Sequence, residues 1–146
     1  YFTCVVSIPS KILGIVKSLL KVTRKAQLGL LLVSELAQRP QDAGPLSIEE
    51  VAKKSGESRK FLEEVVGELR RSKIVEGVRG AAGGYRLLRD PKMLTVADVM
   101  NAVEGPMDPE ACTAHAHRHV DASILTKVQG QVMATLMNTT IADVAK

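Results

Sequence analysis

The sequence is poor in aromatic side chains and in cysteine. Tryptophan is absent, aromatic residues make up 3% of the 146 positions, and the two cysteines, Cys4 and Cys112, lie far apart. A chain with so few rings must build its core from aliphatic side chains, which suits packed helices better than a β-sandwich. Two distant cysteines do not form a disulfide framework, which favours a reducing compartment such as the cytoplasm.

A long uninterrupted apolar run is also lacking. Residues 1–20 are mostly apolar, but Pro9, Lys11 and Lys17 interrupt them and make the segment a poor membrane span. The segment shows no basic leader and no small-residue cleavage site, so we expect neither a signal peptide nor a membrane partner. Residues 1–19 are predicted to be an extension. The sequence leaves open whether it is extraneous or a native amphipathic helix that packs on a partner subunit.

Signatures of nucleotide binding and catalysis are missing as well. The glycine-rich stretch 80–84 lacks the Gly-Lys-Ser or Gly-Lys-Thr ending of a phosphate-binding loop, and no helix opens directly after it. The three histidines share one segment, with no arrangement of base and nucleophile and no acidic pair for acid–base work. The sequence therefore predicts a binding protein rather than an enzyme.

Charge is present in excess but is unevenly distributed. The net charge is +4, no acidic residue precedes Glu35, and a second basic segment, 70–89, contains only Glu76 as an acidic residue. Between these segments, Glu63, Glu64 and Glu68 make one predicted helix acidic. The pattern is compatible with a nucleic-acid partner and predicts a patchy basic surface.

Two short helices joined by a tight turn are predicted over residues 46–73. Ser47 and Glu50 have the spacing of a capping box, in which each side chain bonds the other residue's backbone N–H. Gly56 lies at the turn, where a residue without Cβ adopts a left-handed conformation easily. The second helix is predicted from about Ser58 to Arg71. On these residues alone, an ordinary helical hairpin is the alternative to a helix-turn-helix.

A hairpin is predicted directly after the helix pair. Strands over 74–79 and 85–88 are separated by a glycine-rich turn, with Arg79 beside it. A helix pair followed by a glycine-rich, arginine-flanked hairpin is typical of a winged helix-turn-helix. That geometry places one helix in a groove of DNA and a basic loop beside it.

Further helices are predicted on both sides of this unit. The first covers residues 23–38, and we expect its core face to consist of apolar residues at helical spacing: Leu28, Leu31, Leu32 and Leu36, widened by Leu30 and Val33. Another covers 95–104, and a short final one starts at Thr140. A long aliphatic helix over 121–138 either folds back on its own core or pairs with its copy. Pairing is favoured because a two-fold protein matches two-fold symmetric half-sites on DNA.

The sequence resembles the Rrf2-type transcriptional regulators, a group that includes iron–sulfur cluster regulators and repressors responsive to nitric oxide or cysteine. The segments that carry the resemblance are Lys21-Val22-Thr23-Arg24-Lys25, Phe61-Leu62-Glu63, Arg79-Gly80-Ala81-Ala82-Gly83-Gly84-Tyr85 and Thr139-Thr140-Ile141-Ala142-Asp143. The resemblance implies a homodimeric DNA-binding repressor or activator of the bacterial cytoplasm. It divides the chain into a winged helix-turn-helix domain (20–106), a sensory loop (107–120) and a dimerisation helix with a C-terminal turn (121–146).

The predicted loop departs from the pattern of the family. Many members hold a two-iron–two-sulfur cluster through three cysteines about six residues apart, and the resemblance places Cys112 near the first of them. His119 falls at the position of the third, and no cysteine stands between the two. The usual cluster site therefore lacks most of its ligands.

The loop nevertheless carries a dense set of soft and borderline donors: Cys112, His115, His117 and His119. Thiolate and imidazole bind zinc, iron or a cluster, so a metal ion or a degenerate iron–sulfur site is one hypothesis. The alternative is a solvated polar loop with a free Cys112. A third hypothesis is redox or pH sensing by a thiol whose pKa is lowered by neighbouring imidazoles.

The candidate DNA contacts fall on three elements. At the exposed start of the second helix, Ser58, Arg59, Lys60 and Glu63 lie on the end that enters a major groove. Ser58 is expected to contact phosphate or to cap the helix, and the role of Glu63 is taken from the resemblance. Arg79 suits a narrow minor groove, and Arg24, Lys25 and Tyr85 suit phosphates. The predicted function is a sequence-specific transcriptional regulator that acts as a repressor. The alternative is a winged-helix module that binds only protein.

Overall fold

The computed structural model describes residues 23–106 and 122–145, a mostly helical fold with one two-stranded sheet. In chain order the elements are α1 (Arg24–Gln38), a 3-10 turn (Gln41–Ala43), α2 (Ile48–Ser55), α3 (Arg59–Arg71), β1 (Val75–Val78), β2 (Gly84–Leu87), α4 (Val96–Glu104), α5 (Ala122–Asn138) and α6 (Ile141–Val144). The predicted fold class is confirmed in its winged helix-turn-helix arrangement. The predicted extension (1–19) and sensory loop (107–120) lie outside the described residues.

Helix α1 begins at its N-cap Thr23, whose hydroxyl accepts a hydrogen bond from the Ala26 backbone N–H. It ends before Pro40, as predicted, because Arg39 is already extended. The predicted core position of Leu31 is wrong, since its side chain is 37% exposed. The buried face of α1 runs along Leu28, Leu32 and their neighbours, and Leu31 projects from the other side of the helix.

The core is aliphatic and is shared by α1, α2, α3, α4 and α6. Helices α1 and α4 approach closely at Gly29, where an added Cβ would lie 2.9 Å from Val103 Cγ2. The largest fully buried side chains are Leu32, Leu46, Leu62, Leu69, Ile74, Leu94 and Ile141. This packing fixes the orientation of α3 and leaves its other side on the surface.

The C-terminal end of α5 returns to the core. Leu136 packs against the core cluster, and the following residues pair with the segment that precedes α4. Their backbones exchange two hydrogen bonds, from Val96 N–H to Thr139 O (2.9 Å) and from Ile141 N–H to Leu94 O (2.8 Å). Further back along α5, Val128 is 43% exposed, so the helix leaves part of its apolar surface uncovered. None of the helices described is long and apolar enough to cross a membrane.

Candidate nucleic-acid interface

Helices α2 and α3 are set at a fixed angle by local backbone chemistry. The Ser47 hydroxyl accepts from the Glu50 backbone N–H (3.2 Å), which starts α2. Gly56 ends α2 at φ +71°, and its N–H donates to Ala52 O at 2.9 Å. The predicted left-handed glycine at the turn is therefore present. The reciprocal half of the predicted capping box is replaced, because the Glu50 carboxylate accepts from the Ser47 hydroxyl and from Arg39 rather than from the Ser47 backbone N–H.

Helix α3 is amphipathic, and its polar side is free of the core. Its buried face comprises Leu62, Val65, Val66 and Leu69. Ser58 is the N-cap and accepts from the Phe61 N–H at 3.3 Å, so its hydroxyl is used to start the helix. Arg59, Lys60 and Glu63 are exposed on the following turn. The structure thus brings the four residues predicted for the major groove to one end of α3.

Arg59 is not a free cation in this arrangement. Its Nε donates to Glu63 Oε1 at 2.9 Å, and its Nη1 lies 2.6 Å from Glu49 Oε1 on α2. The hydrogen bond to Glu63, followed by the charges of both carboxylates, raises the pKa of Arg59 above its usual value. Lys60, by contrast, makes no ion pair or side-chain hydrogen bond within the described part of the chain.

The predicted phosphate-binding residues at the start of α1 are also paired with carboxylates. Arg24 binds Glu57, which lies in the turn before α3. Lys25 Nζ lies 3.0 Å from Glu64 Oε1, and the hydrogen bond between them raises the pKa of Lys25. A second carboxylate, Glu68, lies 3.7 Å from the same ammonium. These pairs fasten α1 to the helix-turn-helix. Phosphate contacts by Arg24 and Lys25 remain a prediction.

The wing is an antiparallel pair in which Val75 faces Leu87 and Val78 faces Gly84. β1 is shorter than predicted, and β2 begins and ends one residue earlier, so Gly84 belongs to β2 rather than to the turn. Gly80 has a φ of +125°, and a Cβ at Gly83 would lie 2.7 Å from Val78 O, so the turn requires both glycines.

Arg79 lies at the tip side of the wing, directly after β1, and is exposed. In the described residues, no carboxylate forms an ion pair with it. Tyr85, on β2, is half-buried and packs against the core. The structure therefore gives Tyr85 a packing role, and its predicted phosphate contact stays a prediction.

The wing is fastened to the loop before α2. Leu46 and Tyr85 exchange two backbone hydrogen bonds, each 2.9 Å long. Arg39 holds that loop in place by donating to Gly44 O at 2.8 Å and by binding Glu50. At the other end of the wing, Ile74 N–H donates to Leu69 O (2.9 Å) and connects β1 to α3. The wing and the exposed end of α3 are thus parts of one connected unit.

The partners of the cations were missed by sequence reasoning. The pairing of Arg59 with Glu63 has a local signal, because residues four apart on a helix face each other. The pairings of Arg59 with Glu49 and of Lys25 with Glu64 have none, since they join different helices.

The predicted metal ligands Cys112, His115, His117 and His119 lie outside the described residues. Within the part of the chain that is described, no group of three or more His, Cys, Asp or Glu side chains could hold a metal ion.

A capped helix pair with a left-handed glycine turn, followed by an anchored hairpin with an arginine at its tip, defines a winged helix-turn-helix protein. Comparison with known proteins specifies the family. Residues 22–146 match the Rrf2 family, described as an iron-dependent transcriptional regulator, and the chain belongs to that family.

Relatives of the chain are named as transcriptional regulators. The HTH-type regulator CymR of Bacillus subtilis is 30% identical over 126 residues, which cover 86% of this chain and 90% of that protein. A putative rrf2-like regulator of Rhodobacter capsulatus is 33% identical over 97 residues, but the match spans only 65% of its length.

Solved structures of the family have the same fold. CymR, the global cysteine regulator of B. subtilis, matches with a TM-score of 0.73 and 29% identity, over 84% of this chain and 94% of that one. IscR of T. potens matches with a TM-score of 0.68 and 30% identity, over 84% of each chain. These similarities confirm the predicted family and the predicted class of DNA-binding regulator.

Proposed function

We propose that the chain is a cytoplasmic repressor that binds its operator as a homodimer, with α3 in the major groove and the wing beside it. The observation that carries this proposal is the exposed N-terminal end of α3, which presents Arg59, Lys60 and Glu63 opposite a fully buried apolar face. A helix of this kind can enter a groove without disturbing the core.

The proposed contacts divide into two kinds. Arg59 or Lys60 donates to guanine, and Glu63 accepts from cytosine N4, which gives sequence preference. Arg79 inserts into a narrow minor groove, where the negative potential is concentrated. Ser58 supports the helix start, and Arg24, Lys25 and Tyr85 are the proposed phosphate contacts.

Salt dependence of binding to duplex DNA tests this function. For a DNA-binding protein, the logarithm of the binding constant falls linearly with the logarithm of the salt concentration, with a slope of about −0.9 for each phosphate neutralised. A protein-interaction module would bind duplexes weakly and without sequence preference. The acidic face that would suit such a module is partly neutralised, because Glu64 binds Lys25 and Glu68 binds Arg71.

The homodimer is proposed to form through α5. Val128 is 43% exposed on this helix, an apolar side chain that the described part of the chain leaves uncovered and that pairing with a second copy would bury. Sedimentation of the full chain and of Val128→Glu tests the proposal. We expect the wild type to sediment as a dimer and the variant as a monomer. Two monomeric samples would contradict it.

The proposed sensory loop does not fit the usual cluster of the family. Three cysteine ligands are needed, and the whole chain contains only Cys4 and Cys112. A metal held by Cys112, His115, His117 and His119 remains a hypothesis on donor chemistry. Elemental analysis and a visible spectrum of anaerobically purified protein test it. Absence of bound metal and of absorbance above the protein band would overturn it.

A further inference from the structure

Arg59 at the start of α3 is held between carboxylates from two different helices. Glu63 lies one turn further along α3, whereas Glu49 lies in the first turn of α2. The side chains of all three residues are at least half exposed, at 65% for Arg59, 54% for Glu49 and 51% for Glu63. One positive and two negative charges therefore meet at the end of the helix that is proposed to read DNA.

Carboxylates contact two of the three nitrogens of the Arg59 guanidinium. Nε donates to Glu63 and Nη1 lies 2.6 Å from Glu49, whereas Nη2 makes no hydrogen bond to a carboxylate among the described residues. An arginine that reads guanine donates from two nitrogens, to O6 and N7. The two carboxylates therefore compete with guanine for the Arg59 guanidinium.

The two carboxylates differ in how readily they can be released. Glu63 is four residues from Arg59 on the same helix, so this pair moves into the groove as a unit. Glu49 belongs to α2, and its bond ties α3 to the preceding helix. Release of Glu49 frees Nη1, which can then act together with Nη2 while Nε stays on Glu63.

We propose that Glu49 is a positioning residue for DNA recognition, which competes with DNA for the Arg59 guanidinium and restrains it in the free protein. The inference rests on the proposed function, since it assigns α3 to the groove. Two consequences follow. Glu49 lowers the affinity for DNA, and it lowers the sequence preference at the base pair that Arg59 contacts.

The variant Glu49→Gln tests this inference, because it keeps the shape of the side chain and removes its charge. The control is Glu35→Gln, which removes an equal charge from α1, where the carboxylate binds Lys54 and not Arg59. The probe is a duplex that the full-length wild type selects from a randomised library. Binding is measured by fluorescence anisotropy at several salt concentrations.

We expect Glu49→Gln to bind this duplex about two- to fivefold more tightly than the wild type, the range for release of one exposed ion pair. Its salt slope should become steeper by up to about one, because Arg59 no longer has an internal counterion. Repeated selection should show a sharper preference at one base pair. Glu35→Gln should show neither the gain in affinity nor the sharper preference.

A double variant separates restraint of Arg59 from general charge repulsion. In an Arg59→Ala background, Glu49→Gln should give no more than the effect of Glu35→Gln. An equal gain with and without Arg59, or equal behaviour of the two glutamine variants, would overturn the inference while the proposed function stands. If the wild type shows no salt-dependent binding to any duplex, the proposed function itself fails. Thermal unfolding of each variant confirms that it is folded.

Discussion

The recognition helix and the wing present their arginines in opposite ways. Arg59 at the start of α3 is bound by Glu49 and Glu63, whereas Arg79 of the wing has no carboxylate partner among the residues described. A paired cation must exchange its carboxylate for a group of the DNA when DNA binds. Its contribution to the binding free energy is therefore only the difference between the two contacts. A free cation contributes its attraction to DNA whatever the sequence.

This difference assigns separate tasks to the two regions. Exposed ion pairs are worth about 0.2–1 kcal/mol, whereas a good bidentate contact to a base discriminates by about 1–3 kcal/mol. The exchange at Arg59 is therefore favourable only where a suitable base accepts it. We infer that α3 supplies sequence preference and that the wing supplies affinity and salt dependence.

The largest expected effect comes from breaking the wing with Gly84→Ala. The added Cβ would lie 2.5 Å from Leu46 O, so β2 must move away from its anchor. We expect a loss of about 1–3 kcal/mol in the free energy of unfolding, as for other overpacked sites. DNA affinity should fall as well, because the whole wing is displaced. Chemical unfolding and anisotropy measure the two effects.

Gly67→Ala on α3 is the matched control for that change, because nothing lies within 4 Å of the added Cβ. It should leave DNA affinity unchanged and raise stability by about 0.5–1 kcal/mol, as expected for glycine replaced within a helix. If Gly84→Ala and Gly67→Ala destabilised the protein equally, the wing would not be fastened at Leu46.

Removal of the wing cation alone should have the next largest effect. We expect Arg79→Ala to weaken binding by about 1–3 kcal/mol and to reduce the salt slope. Lys92→Ala removes the same charge from an exposed turn that follows β2 in the chain and should change affinity little. Anisotropy titrations at several salt concentrations measure both. If the two variants lose the same affinity, the inference that the wing supplies affinity through Arg79 is wrong.

A substitution in the recognition helix should alter the base preference more than the overall affinity for DNA. Glu63→Ala removes the proposed acceptor for cytosine, and it also frees Arg59 Nε, so loss and gain partly offset each other. We expect an affinity within about fivefold of the wild type and a changed base at one position of the selected site. Selection from a randomised library reads this out. An unaltered preference would refute the role of Glu63.

The parts of the fold that follow local rules could be predicted from the sequence. Thr23, Ser58, Thr95 and Thr140 each start a helix, and a short polar side chain before an apolar run is enough to predict this. Gly56 and the glycine-rich turn were predicted for the same reason, since a left-handed or crowded backbone restricts the residue type.

The parts that depend on distant contacts could not be predicted. Leu31 is as hydrophobic as its neighbours, and only the position of the packed helices decides that it faces outward. The sequence shows that Lys25 is basic but not that Glu64, on another helix, lies beside it. The anchor of the wing at Leu46 likewise joins two distant segments. Charge and helical phase are local, whereas their partners are set by tertiary structure.

The smallest expected effect concerns the loop that anchors the wing, and it depends on pH. The Arg39 guanidinium donates to Glu50 (2.9 Å) and to Gly44 O (2.8 Å). The hydrogen bond from Arg39 to Glu50 lowers the pKa of Glu50 below its ordinary value of 4.5. A carboxyl whose pKa is depressed by folding adds stability above pH 4.5, and that stability is lost as the pH falls through the lower, folded value.

The wild type should therefore exceed Glu50→Gln in the free energy of unfolding by a few tenths of a kcal/mol, roughly, at pH 7, since the pair is partly exposed. The difference should shrink as the pH drops below 4.5, because protonated Glu50 and glutamine are then alike in charge. Chemical unfolding of both proteins at pH 7, 5 and 3 measures it. A constant difference across that series would mean that the loop is held by shape and backbone contacts, and that the ionic bond to Arg39 does not support the wing.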